Sequence, residues 1–194
     1  MFNGTPRREF AIHDDRITVI TMLGLQTEMI GVGRRMAKSD IIVPMADDDI
    51  DFPNRAETVY EEIENKGADI FCGSSRIINE QGMEIGVQSA ILDLDAAEGD
   101  RAKAVYTLGA PGLQAGGYRN STAPEWTNEY YYLADNKFFI DAYEKGLKIE
   151  LSPVILSQVR SWRSNMSADS VGSMQSRRAE TFRLRKEYLS KLGS

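Results

Sequence analysis

The stretch Ile41-Ile42-Val43-Pro44-Met45-Ala46-Asp47-Asp48-Asp49-Ile50-Asp51-Phe52-Pro53-Asn54-Arg55 decides how this chain is read. An apolar run of strand type ends in three consecutive carboxylates, and Pro53 then opens a helical pattern. Three adjacent like charges repel one another, so holding them together is costly unless a cation sits among them. Carboxylate oxygens are hard ligands of the kind Mg²⁺ and Mn²⁺ take, and those ions commonly bridge protein carboxylates to substrate phosphates. In open α/β sheets the ends of strands are also where ligands bind. The residues point to a divalent-metal and phosphate site centred on Asp47 to Asp49; the plainer alternative is a solvated acidic turn before the next helix.

Outward from that stretch, the composition sets bounds. At 194 residues the chain is most simply one domain, and 42% apolar with 27% charged residues is ordinary for a globular protein. A net charge of −6 argues against nucleic acid as a main partner, because no basic field draws phosphates in. The single Cys72 cannot form an internal disulfide, which suits a reducing cytoplasm. Met1 is followed by Gly4, Pro6, Arg7 and Arg8 with no apolar leader core, and no run approaches the roughly 20 apolar residues of a membrane span.

Along the chain, Asn3-Gly4-Thr5-Pro6 predicts a turn and Ile17-Thr18-Val19-Ile20 a strand. Residues 26–38 have helical spacing, interrupted by Gly31 and Gly33. Ile41 to Met45 reads as the strand ending at the acidic run, and Val59, Tyr60 and Ile63 as the buried face of the helix that stops at Gly67. A second buried strand is predicted over Ala68 to Gly73. A hairpin follows around Asn79-Glu80-Gln81-Gly82. A short helix is expected near Ala96 to Ala104, and the Gly-rich residues 107–124 read as a loop. Asn136 to Lys145 has helical spacing, Lys148 to Leu156 reads as a strand, and 176–192 as a basic amphipathic helix. Alternation of strands and helices predicts an α/β fold with a largely parallel sheet.

A resemblance then becomes specific. Ala46-Asp47-Asp48-Asp49-Ile50, Pro53-Asn54-Arg55, Ala68-Asp69-Ile70, Gly73 and the Asn-Glu-Gln-Gly turn resemble the middle of a family-2 glycosyltransferase with the GT-A fold. Leu133-Ala134-Asp135-Asn136-Lys137-Phe138-Phe139 resembles that family's later acidic motif, which opens a helix and supplies the catalytic base. The resemblance implies a Rossmann-like, mostly parallel sheet flanked by helices, in a domain over 1–175 followed by the basic helix of 176–194. It implies Mn²⁺ or Mg²⁺ on Asp49 and Asp47, with Asp47 and Asp48 at the donor diphosphate and Asp135 as base. Arg34 and Arg35 stand where the family carries a nucleotide-contacting arginine, and Trp126 and Tyr131 offer aromatic faces for a sugar acceptor.

The implied partners are a nucleotide-sugar donor and a glycan or lipid-linked acceptor, with inversion. The basic helix reads most simply as packed on its own domain with a solvated basic face; the functional alternatives are peripheral contact with the inner face of the membrane, or with a partner chain.

The chain also departs from the family. Ala46 replaces a common Asp, and Trp162, within Arg160 to Ser167, stands near the place of a His. His13 lies in the polar lead-in. The family's first strand–helix–strand unit has no counterpart before Asp14, so an N-terminally shortened fold is expected. That leaves two rivals: a degenerate sugar- or nucleotide-binding subunit completed by a partner chain, and an unrelated nucleotidyltransferase, which gives Asp135 no role.

Overall fold

The structure, a computed structural model, describes residues 14–93, 99–161 and 171–192. In chain order the elements are α1 (Gln26–Met36), β1 (Ile41–Ile42), β2 (Ile50–Asp51), α2 (Arg55–Tyr60) running into a π-helical turn (Glu61–Asn65), and β3 (Ile70–Ile78). Then come β4 (Glu84–Gln88), α3 (Arg101–Leu108), a 3₁₀ turn (Leu113–Ala115), β5 (Gly116–Arg119), α4 (Ala134–Glu144), β6 (Ile149–Arg160) and α5 (Val171–Leu192). The lead-in turn at 3–6, His13, Trp162 and the start of the helix expected near 96 lie outside the described residues.

The sheet has the order β1-β5-β3-β6-β2, with β4 pairing the C-terminal half of β3. β3 is its spine. Alternation along it sends Phe71 to one face, against Val59, Ile63 and Leu156, and sends Ile70 and Cys72 to the other, against Tyr118, Phe138 and Phe139. Helix α2 therefore covers one face, and α3, α4 and α5 the other. Gly67 and Gly146, at φ +72° and +71°, end the helices before β3 and β6, a backbone conformation that suits glycine.

The expectation of a mostly parallel sheet is corrected. β3 and β6 are parallel, whereas β1–β5, β3–β5, β3–β4 and β2–β6 are antiparallel. Alternating elements imply parallel pairing only where a helix carries the chain back over the sheet. Here the hairpin at Asn79–Gly82 turns β3 directly into β4, and β5 returns as a short strand inside the segment read as loop. Ile17 to Ile20 form no strand. Among the described residues no neighbour pairs with them, and Ile17, Val19 and Ile20 stay exposed.

The C-terminal helix α5 packs on the domain. Leu184 and Tyr188 are buried in the core, Arg183 lies 4.3 Å from the Tyr130 ring centroid, and Glu187 accepts from the Tyr130 hydroxyl at 2.9 Å. Among the described residues no helix is long and apolar enough to cross a membrane.

Candidate active site

Directions in the sheet place the first acidic segment. β1 and β3 are each antiparallel to β5, and β6 is parallel to β3, so β1, β3 and β6 share one direction. The loop from Val43 to Asp49 leaves the C-terminal end of β1 and meets the C-terminal end of β6, where Asp49 Oδ1 accepts from the Arg160 amide at 3.0 Å. This is the edge at which open α/β sheets bind ligands.

Two arginines hold that loop. Arg55 is buried: it pairs with Asp51 at 2.5 Å and donates to the carbonyls of Pro44, Leu113 and Gly116 at 2.5, 3.1 and 2.9 Å. It ties both ends of the acidic run to the 3₁₀ turn and to β5. Arg160 donates to the Asp48 carbonyl at 3.3 Å and to those of Asn79 and Glu80 at 3.1 and 3.3 Å, fastening the loop to the hairpin. Sequence reading quoted both arginines within motifs but gave them no such part; the Asp51–Arg55 spacing of four was the available signal.

The three carboxylates differ. Asp47 is exposed and has no partner among the described residues; Asp48 and Asp49 are partly buried. Burial, followed by the neighbouring charges of Asp48 and Asp51, raises the Asp49 carboxyl above the usual carboxylate range. Among the described residues no three acidic, His or Cys side chains converge as a ready-made cage. The donor set nevertheless suits a hard cation of the Mg²⁺ type, which takes one or two carboxylates and completes its shell with substrate phosphates and water. Asp47 and the second oxygen of Asp49 are open to that use.

Asp135 lies in the first turn of α4, two residues after the Leu133 N-cap position. Its side chain is exposed at the surface, yet the protein packed around the helix start pushes its carboxyl up to about 6. It makes no hydrogen bond among the described residues. Asn136, next to it, donates to the Val105 carbonyl of α3 at 2.9 Å. Asp135 and Arg55 both act on Cys72, in the middle of β3. Burial pushes this thiol up, the Asp135 carboxylate adds to the effect, and the Arg55 guanidinium opposes it. A desolvated carboxyl with a pKa near neutrality is suited to accept a proton.

The remaining expected residues are placed as follows. Arg34 is buried and donates to Asn120 Oδ1 at 2.8 Å and to the Pro124 carbonyl at 2.6 Å, with its guanidinium 5.5 Å from the Tyr118 ring centroid. It anchors α1 to the 120–124 turn. Arg35, one residue on, is exposed. Trp126 stacks on Phe138 at 4.6 Å, so one ring face is taken, whereas Tyr131 is exposed and meets Tyr132 edge-on at 4.8 Å. A cavity of about 360 Å³ lined by Lys66, Lys148 and Glu150 lies at the N-terminal ends of β3 and β6, away from the acidic loop, and carries none of this chemistry.

With this geometry in view, comparison with known families is decisive. The model described as glycosyl transferase family 2 matches residues 8–148. The chain belongs to glycosyl transferase family 2. Membership implies the GT-A fold and transfer of a glycosyl group from a nucleotide sugar, and the match spans both acidic segments of this family-2 domain while α5 lies beyond it. No curated protein matches the chain.

Proposed function

We propose that this family-2 domain transfers a sugar from a nucleoside-diphosphate donor to a hydroxyl of a glycan or lipid-linked acceptor, with inversion and dependence on Mn²⁺ or Mg²⁺. The observation that carries the proposal is the acidic loop held by Arg55 and Arg160 at the C-terminal edge of the sheet, together with Asp135, unbonded among the described residues in the first turn of α4.

Asp135 takes the proton of the acceptor hydroxyl as its oxygen bonds to the anomeric carbon, and the bond from that carbon to the diphosphate oxygen breaks, releasing the nucleoside diphosphate. Asp49 and Asp47 would hold the divalent cation, which when bound neutralises charge gathering on the leaving diphosphate. Asp48 contacts the nucleotide side of the loop. Of the two helix arginines, Arg35 is free to meet phosphate and Arg34 holds α1 in place. Tyr131 supplies an open aromatic face to the acceptor, and Trp126 backs the same wall. The exposed basic residues of α5, Arg178, Arg185 and Lys186, form a face for anionic lipid on the cytoplasmic side.

The exposed apolar side chains of Ile17, Val19, Ile20, Leu23 and Leu25 favour a second reading, in which a partner chain completes the donor site. A screen of UDP-, GDP- and dTDP-sugars with Mn²⁺, following nucleoside diphosphate release, tests the proposal. Release by the wild type and none by Asp135→Asn supports it; equal release by both overturns the base. Metal-independent nucleotide binding without turnover favours the partner-completed subunit.

A further inference from the structure

Helix α4 begins without a cap of its own. Its N-cap residue, Leu133, makes no side-chain capping bond, and the backbone amides leading into the first turn have no intrahelical acceptor. The acceptor comes from α5. Glu180 Oε1 accepts from the Tyr131 amide at 2.8 Å, and Oε2 accepts from the amides of Tyr132 and Leu133 at 2.8 and 3.0 Å. Three charge-assisted bonds on one carboxylate form a strong local restraint, and a negative group beside a helix N-terminus is favoured by the helix dipole.

The rest of α5 is arranged around that contact. Arg177 and Arg183 lie over the rings of Tyr132 and Tyr130, at 5.5 and 4.3 Å. Glu187 accepts from the Tyr130 hydroxyl and pairs with Lys137 of α4 at 3.2 Å. Tyr188 bonds to Asp100, which also caps α3 by accepting from the Lys103 amide at 3.0 Å. One helix thereby fixes the starts of both neighbouring helices, and Asp135 stands two residues beyond the last amide that Glu180 holds.

We propose that Glu180 is a positioning residue for Asp135, holding the entry of α4 so that the carboxylate keeps its place and direction in the first turn. The proposal rests on the reading of Asp135 as base, and it also makes a structural claim that is measurable without turnover. Release of the 131–133 amides would let the first turn of α4 loosen, so that Asp135 loses the protein surroundings that raise its carboxyl.

The test is carbon-detected NMR titration of the Asp135 carboxyl, with amide hydrogen exchange at Tyr131, Tyr132 and Leu133, on the full chain. The variants are Glu180→Gln, Glu180→Asp and, as a control on the same helix, the exposed Leu189→Ala. In the wild type the carboxyl should titrate at about 6. In Glu180→Gln it should fall toward the ordinary value of about 3.9 and the three amides should exchange roughly tenfold faster, with Leu189→Ala unchanged. Glu180→Asp, which keeps the charge and loses reach, should fall between; it decides by the same two readouts should the Gln variant release α5 altogether. An unshifted Asp135 with unchanged exchange at the three amides overturns the proposal. Where turnover is measured, Glu180→Gln should lower kcat about tenfold with donor KM unchanged, as expected when only transition-state positioning is lost. Full turnover in Asp135→Asn sinks the base reading, and the titration still reports on Glu180 separately.

Discussion

The acidic loop at Asp47–Asp49 and the carboxylate Asp135 are held by different scaffolding. The loop is pinned by Arg55 and Arg160, whose guanidinium groups reach backbone carbonyls on several elements at once. Among the described residues Asp135 has no such cation; its helix is steadied by a carboxylate reaching in from α5, beyond the residues matched to the family. In the first region the scaffold is part of the core, so damage there shows as lost stability. In the second the carboxyl carries a raised pKa, a condition that costs folding at neutral pH instead of supporting it.

Asp135→Asn should break the comparison most visibly. Removing a general base costs about 10²- to 10⁴-fold in kcat, with the melting temperature at neutral pH held or raised. Arg55→Met comes next and acts in the opposite sense. Leaving Asp51 and three carbonyls without their buried partner should cost roughly 3–5 kcal/mol of stability in urea unfolding, and Arg55→Lys should not restore it, since an ammonium cannot span the same acceptors.

A smaller effect follows from the raised carboxyl of Asp135. Between the ordinary carboxylate value of about 4 and its folded value of about 6, the folded chain retains a proton that the unfolded chain has released. Its contribution to stability therefore falls as pH rises through that window and is flat above it. Asp135→Asn should remove that part of the slope, while kcat of the wild type climbs with pH through about 6. Smallest is the contrast between neighbouring arginines. Arg35→Gln should leave stability within about 0.5 kcal/mol, as surface changes do, and weaken donor affinity, whereas Arg34→Gln should lower the melting temperature by loosening the 120–124 turn.

What was legible in the sequence was local. Asn79-Glu80-Gln81-Gly82 declared a turn, and there Asn79 Oδ1 accepts from the amides of Gln81 and Met83 while Gly82 takes φ +81°. The helix read over Asn136 to Lys145 was also legible, and it is observed as Ala134–Glu144. β5 was hidden because its first residues are glycines, which read as loop. They are small because the strand is squeezed: a Cβ on Gly116 would run into the Phe71 carbonyl, and one on Gly117 would come within 2.6 Å of the Ile42 carbonyl. The parallel sheet was misjudged for a related reason, since strand direction depends on where short return strands insert.

The roles of Arg34 and Glu180 were invisible because their partners are far along the chain. Arg34 has an i,i+3 or i,i+4 face indistinguishable from a solvated one until the 120–124 turn is folded onto it. Glu180 sits in a charge-rich helix in which nothing marks it out from its neighbours. In the acidic loop, the three carboxylates announced themselves, but the arginines that anchor the loop became evident only in three dimensions.

The division of labour between the two acidic segments is tested most directly by calorimetric titration of UDP in Mn²⁺ against Asp49→Ala and Asp135→Asn. The account predicts that Asp135→Asn binds the nucleotide as the wild type does, and that Asp49→Ala loses the Mn²⁺-dependent binding. Equal binding by Asp49→Ala and the wild type, or loss of binding in Asp135→Asn with the fold intact, would contradict it.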